Sequence, residues 1–144
     1  MNQRLISKNI YRIPFNSTTK PIPEPAPFHD ENKWLKSALD FRMPEGTPIL
    51  AACNGIVTRT VKEFVEGGND KSLIDKCNLI ILEHKNEEYT TYVHLKKDGV
   101  LVEEGQEIKK GDIIGYSGLT GYTTYPHLHF AVMVFNYKKD CWET

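Results

Sequence analysis

From about residue 38 to residue 135 the chain is a succession of short β-branched and aromatic runs, each closed by a glycine, proline or asparagine turn. Strand side chains alternate between two faces, so runs of this kind stack into sheets with one face turned inward. Ala38–Phe41 is a short apolar run ended by the turn signal Met43-Pro44-Glu45-Gly46. Thr47–Ala52 and Ile56–Val61 flank Asn54-Gly55, which predicts a hairpin. Leu79–Glu83 and Tyr89–His94 flank Lys85–Glu88 and predict a second. Gly105 and Gly111 punctuate Val100–Ser117, and Leu128–Phe135 closes the pattern with Phe130, Val132 and Val134 alternating. Glu63–Lys76 is polar, carries Gly67-Gly68 and reads as a long loop. The expected fold class is all-β, an antiparallel β-sandwich or barrel-like sheet. Helical tendency is confined to residues 31–37 and is weak.

Residues 1–27 differ from the rest. Ile10–Phe15 has the makings of a short strand, and Pro21, Pro23, Pro25 and Pro27 follow at every second position. That spacing forbids helix and favours an extended, polyproline-like arm. The expected organisation is therefore an N-terminal proline-rich arm over residues 1–27 and one domain over residues 28–144. Lying along the domain, the arm would shape a groove.

Composition removes several function classes. The chain has 144 residues and a formal net charge of -1, with no long basic run, so nucleic acid is not an expected partner. No apolar stretch approaches the roughly 20 residues that span a bilayer, so no membrane span is expected. The start, MNQRLISKNIYRIPFN, lacks the apolar core of a signal peptide. Cys53, Cys77 and Cys141 are an odd count without Cys-x-x-Cys spacing. They read as packing thiols, and neither a disulfide scaffold nor a thiolate zinc site is expected.

The chemistry concentrates in Tyr125-Pro126-His127-Leu128-His129-Phe130. In a strand, His127 and His129 point to one side, and imidazole is both the commonest metal ligand and the commonest general base near neutral pH. Asp40 lies in the apolar run Ala38-Leu39-Asp40-Phe41, where a carboxylate needs a partner or a metal. His94 ends a predicted strand, and His84 reads as a structural residue at a hairpin end.

The ordered set of motifs resembles the lysostaphin-type (LytM-like) zinc endopeptidases. It comprises Ala38-Leu39-Asp40-Phe41, Met43-Pro44-Glu45-Gly46-Thr47-Pro48, Ala51-Ala52, Gly55-Ile56-Val57 and Asn78 with Ile80 and His84. Tyr92-Val93-His94-Leu95, Gly111-Asp112-Ile113-Ile114-Gly115, Ser117-Gly118-Leu119-Thr120-Gly121 and Pro126-His127-Leu128-His129-Phe130 complete it. The resemblance covers roughly residues 29–134. It implies a β-sheet with an open groove and long loops, one zinc ion, and hydrolysis of peptide cross-links or stems of bacterial peptidoglycan. It gives Asp40 and His129 as metal ligands and His94 and His127 as catalytic residues. The family's third ligand is a histidine upstream of the aspartate, often four residues before it; Lys36 stands there, and His29 is assigned instead. Tyr122, Thr123 and Tyr125 are placed to line the substrate groove. The resemblance also implies a cell-envelope location, periplasmic or secreted. The rival reading is a non-catalytic relative that binds and activates other wall hydrolases. A second rival starts from Val102–Gly111, which resembles the strands of biotinyl and lipoyl carriers. The modifiable lysine setting of those carriers, such as Met-Lys-Met, is missing.

Overall fold

Alternation along one strand sorts the molecule into a core side and a site side. The computed structural model describes residues 6–24 and 37–144. Its strands are β1 (Ile22–Glu24), β2 (Leu39–Arg42), β3 (Pro48–Leu50), β4 (Gly55–Val61), β5 (Gly67–Gly68), β6 (Asn78–Glu83), β7 (Glu88–Val100), β8 (Glu107–Ile108), β9 (Ile113–Ser117), β10 (Gly121–Tyr122), β11 (His127–Asn136) and β12 (Cys141–Glu143). On β11, Leu128 and Phe130 enter the main core, while Ala131 and Met133 pack with Ala38 on the opposite face. The odd-numbered His127 and His129 share that second face by the period of two.

The main sheet runs β1-β2-β11-β7-β6-β4-β8, with β12 added to β11 and β9 joined to both β3 and β7. Every pairing in it is antiparallel, and β5 and β10 form a separate parallel pair. The fold is all-β, as the residue pattern predicts. Short 3-10 turns at Lys71–Leu73 and Lys85–Glu87 are the helical elements among the described residues. Ile80, Leu82, Tyr92, Leu95, Leu128, Ile49 and Ile114 are fully buried. Tyr92 packs against Phe130 with the rings tilted and 5.3 Å apart, and its hydroxyl takes the Ala52 N–H at 2.9 Å.

The Lys85–Glu88 hairpin forms, joining β6 to β7. The Asn54-Gly55 hairpin does not. β3 pairs with β9, and Gly55 and Ile56 pair with Ile108 and Glu107. Asn54 ties three segments together instead of turning the chain back: its Oδ1 takes the Lys110 N–H at 2.7 Å and its carbonyl takes His84 Nδ1–H at 2.8 Å. The expected strand over Ile10–Phe15 is also absent. That stretch lies along Leu50–Ala52 through two bonds, Arg12 N–H to the Ala52 carbonyl and Leu50 N–H to the Pro14 carbonyl, both 2.9 Å. Pro14 has no N–H to extend a ladder. The weak helical tendency of residues 31–37 falls almost wholly outside the described residues.

Residues ahead of β2 are tied to the domain at several points. Phe15 joins the main core, and Tyr11 packs against it. Pro23 sits on β1, at the edge of the sheet, where a missing N–H is tolerated. Glu88, 3% exposed, collects four donors: Lys8 N–H at 2.6 Å, and Ser7 Oγ, Asn9 Nδ2 and Tyr11 Oη at 2.8 Å each. Burial pushes its carboxyl up, but these hydrogen bonds outweigh burial and hold it down at about 2, against an ordinary 4.5. A depressed carboxyl contributes its stability fully above pH 4.5 and loses it as the pH falls through about 2. Glu88→Gln is expected to cost about 2 kcal/mol at pH 7 and to speed amide exchange at Lys8. The difference from wild type should shrink in urea melts as the pH drops below 4.5. An unchanged difference across that range would contradict the assignment.

Candidate active site

The β2–β11 ladder sets the site by register. Asp40 lies directly opposite His129 and Arg42 opposite His127. Opposed residues share a face with Cβ atoms about 5 Å apart. Accordingly Asp40 Oδ1 is 2.9 Å from His129 Nδ1 and 3.8 Å from His127 Nε2. Arg42 stacks on the Tyr125 ring at 4.8 Å, and that ring lies 5.3 Å from the His127 imidazole.

His94 reaches the same face by a different device. Strict alternation after Tyr92 would turn it into the core. However, Leu79 pairs with Val93 and Asn78 with Leu95, so His94 is the extra residue of a β-bulge. Its φ of 64 is a left-handed conformation, which histidine visits more readily than most residues. The bulge brings its ring to 4.6 Å from His127 and 6.1 Å from His129.

Backbone carbonyls orient both of these rings. His94 Nδ1 lies 2.7 Å from the Thr120 carbonyl, and His127 Nδ1 lies 3.0 Å from the Tyr125 carbonyl. A carbonyl only accepts, so each Nδ1 carries a proton and each Nε2 is turned away from these carbonyls. Thr123 is buried, 6% exposed, with its hydroxyl bonded to the Tyr125 carbonyl at 2.8 Å and 3.1 Å from His127 Nδ1. Its side chain thus supports His127, while Tyr122 and Tyr125 remain half-buried. Burial, then the neighbouring His127, push the His94 imidazole down to about 3, against the opposing pull of the Thr120 carbonyl. His94 is therefore neutral near pH 7.

Asp40 and His129 fit a borderline cation in kind, one carboxylate oxygen and one imidazole nitrogen already converged. Among the described residues no group of three such side chains forms a complete set, and His29, the third assigned ligand, lies outside them. His84 belongs elsewhere: its ring bridges the Asn54 carbonyl and Thr90 Oγ1 at 2.8 and 2.7 Å. The three cysteines are free thiols. The role of Thr120 in orienting His94 gives no signal in spacing or polarity, because a backbone carbonyl plays it. Long-range 15N correlation spectra are expected to show a protonated Nδ1 at both His94 and His127, and at pH 7 a bare Nε2 at His94. A bare Nδ1 at either ring would contradict this geometry.

Residues 35–141 match the model of peptidase family M23. The chain is 38% identical over 95 residues to the peptidoglycan DD-endopeptidase ShyA of Vibrio cholerae, covering 66% of this chain and 19% of that protein. It is 38% identical over 109 residues to lysostaphin of Staphylococcus simulans, covering 76% of this chain and 20% of lysostaphin. It therefore corresponds to one region of each of these longer proteins. A zinc-containing peptidase from Vibrio cholerae is similar in structure, with a TM-score of 0.60 and 30% identity over 83% of this chain and 35% of that one. The lysostaphin catalytic domain gives 0.53 and 36% over 69% and 68% of the two chains. Both the match over most of its length and the likeness in fold make this chain a member of peptidase family M23.

Proposed function

We propose that the chain is a zinc-dependent endopeptidase that hydrolyses peptide bonds in bacterial peptidoglycan. The observation that carries this reading is the Asp40–His129 contact beside two imidazoles, each with Nδ1 held by a backbone carbonyl. Asp40, His129 and His29 would hold the ion. Zinc, when bound, supplies Lewis acidity that polarises a peptide carbonyl and acidifies a water. The chain's own groups handle the proton. His127 takes it from the attacking water at Nε2 and delivers it to the leaving amine. The Tyr125 carbonyl keeps the Nδ1 proton in place and favours the imidazolium formed between those steps. His94, held neutral, accepts at Nε2 and orients the water. Tyr122 and Tyr125 would flank the peptide as it enters.

The substrate class rests on relatives such as ShyA, described as a peptidoglycan DD-endopeptidase. Peptidoglycan lies outside the cytoplasmic membrane, so this reading places the protein at the cell envelope. Chelation is expected to abolish hydrolysis of purified peptidoglycan peptides, and added zinc to restore it. His127→Ala should keep its zinc and lose about 10²- to 10⁴-fold in kcat. Full activity in the chelated protein, or in His127→Ala, would overturn the reading. Zinc-replete wild type that binds peptidoglycan without cutting it would favour a non-catalytic binding module.

A further inference from the structure

We infer that Thr120 is a positioning residue for His94, aiming the ring by one of its atoms and fixing the tautomer by another. The first effect lies in the β6–β7 ladder. Asn78 and Leu95 are register partners immediately beside the bulge. The Thr120 hydroxyl lies between them, taking the Asn78 N–H at 3.0 Å and donating to the Leu95 carbonyl at 2.8 Å. One hydroxyl has the single donor and the acceptor capacity this insertion needs. It keeps both backbone groups satisfied while the strands are wedged apart, so His94 can remain the extra residue at φ 64. The second effect is direct: the Thr120 carbonyl takes His94 Nδ1–H at 2.7 Å.

The surroundings hold Thr120 itself in place. It is 3% exposed and Asn78 is fully buried. The Asn78 side chain accepts the Phe64 N–H at 3.0 Å and donates to the Phe64 carbonyl at 2.9 Å, tying the long loop to β6. That loop in turn grips the segment carrying Thr120. Gly121 N–H bonds to the Glu66 carbonyl at 2.9 Å, and Thr123 N–H to the Gly68 carbonyl at 3.1 Å. Two glycines permit this lacing. A Cβ on Gly67 would run into the Leu119 carbonyl, and Gly121, at φ 88, would carry a Cβ 2.7 Å from that of Cys77.

Thr120→Val keeps the shape and deletes the hydroxyl, while Thr120→Ser keeps the hydroxyl. The zinc-loaded protein and both variants are compared by peptide hydrolysis and by 15N spectra of His94. In Thr120→Val kcat is expected to fall about 10- to 100-fold with KM little changed, and the His94 Nδ1–H signature to be lost or doubled. Thr120→Ser should restore both to within about threefold of wild type. The kinetic half rests on the proposed peptidase activity, and the spectroscopic half does not. Were wild type inactive, a changed His94 spectrum in Thr120→Val alone would still support the inference. A folded Thr120→Val with wild-type His94 spectrum and kcat would overturn it, as would a Thr120→Ser no better than Thr120→Val.

Discussion

The site depends first on the register between β2 and β11. Asp40 meets His129 because these two short stretches pair with Asp40 directly opposite it. A slip of β11 by one residue would turn its histidines to the core side, away from Asp40, and Leu128 and Phe130 outward. The core therefore enforces the site: burial of Leu128 and Phe130 against Tyr92 and Leu95 holds the register that brings carboxylate and imidazole together. β1 adds to this by covering the outer edge of β2, so the strand carrying Asp40 is paired on both sides. Residues 7–11, anchored on Glu88, and Phe15 in the core fasten the chain that leads into β1.

The second layer of the site is polar and sits in loops. Thr120, Thr123 and Tyr125 act on the histidines through carbonyls and hydroxyls, and the long loop after β4 holds them from behind. This arrangement suits acid–base chemistry. An imidazole pinned at Nδ1 has one orientation and one tautomer, so its Nε2 is ready without reorganisation. Among the described site residues His94 has a left-handed backbone, and it is supported by a network of satisfied buried hydrogen bonds.

Much of this was legible in the residues. Period-two alternation identifies β11 and puts His127 and His129 on one face, and the buried setting of Asp40 signals a partner. The resemblance of the ordered motifs to the lysostaphin type gives the family. What the local pattern misreads has physical causes. Asn54-Gly55 looks like a hairpin, but tertiary bonds to Lys110 and His84 outweigh local turn preference. Ile10–Phe15 looks like a strand, but Pro14 breaks its ladder. Periodicity alone would have buried His94 beside Tyr92, because a bulge is a property of two strands and a wedge from a third segment. Thr120 carries no signal in spacing, since its role comes from long-range contacts.

We propose that zinc is held in this site by Asp40 and His129 together. Native mass spectrometry of the zinc-supplied protein, wild type against His129→Ala, tests it directly. One zinc ion per chain is expected in the wild type and none in the variant, with the variant still folded. Equal zinc in both proteins, or none in the wild type, would contradict it.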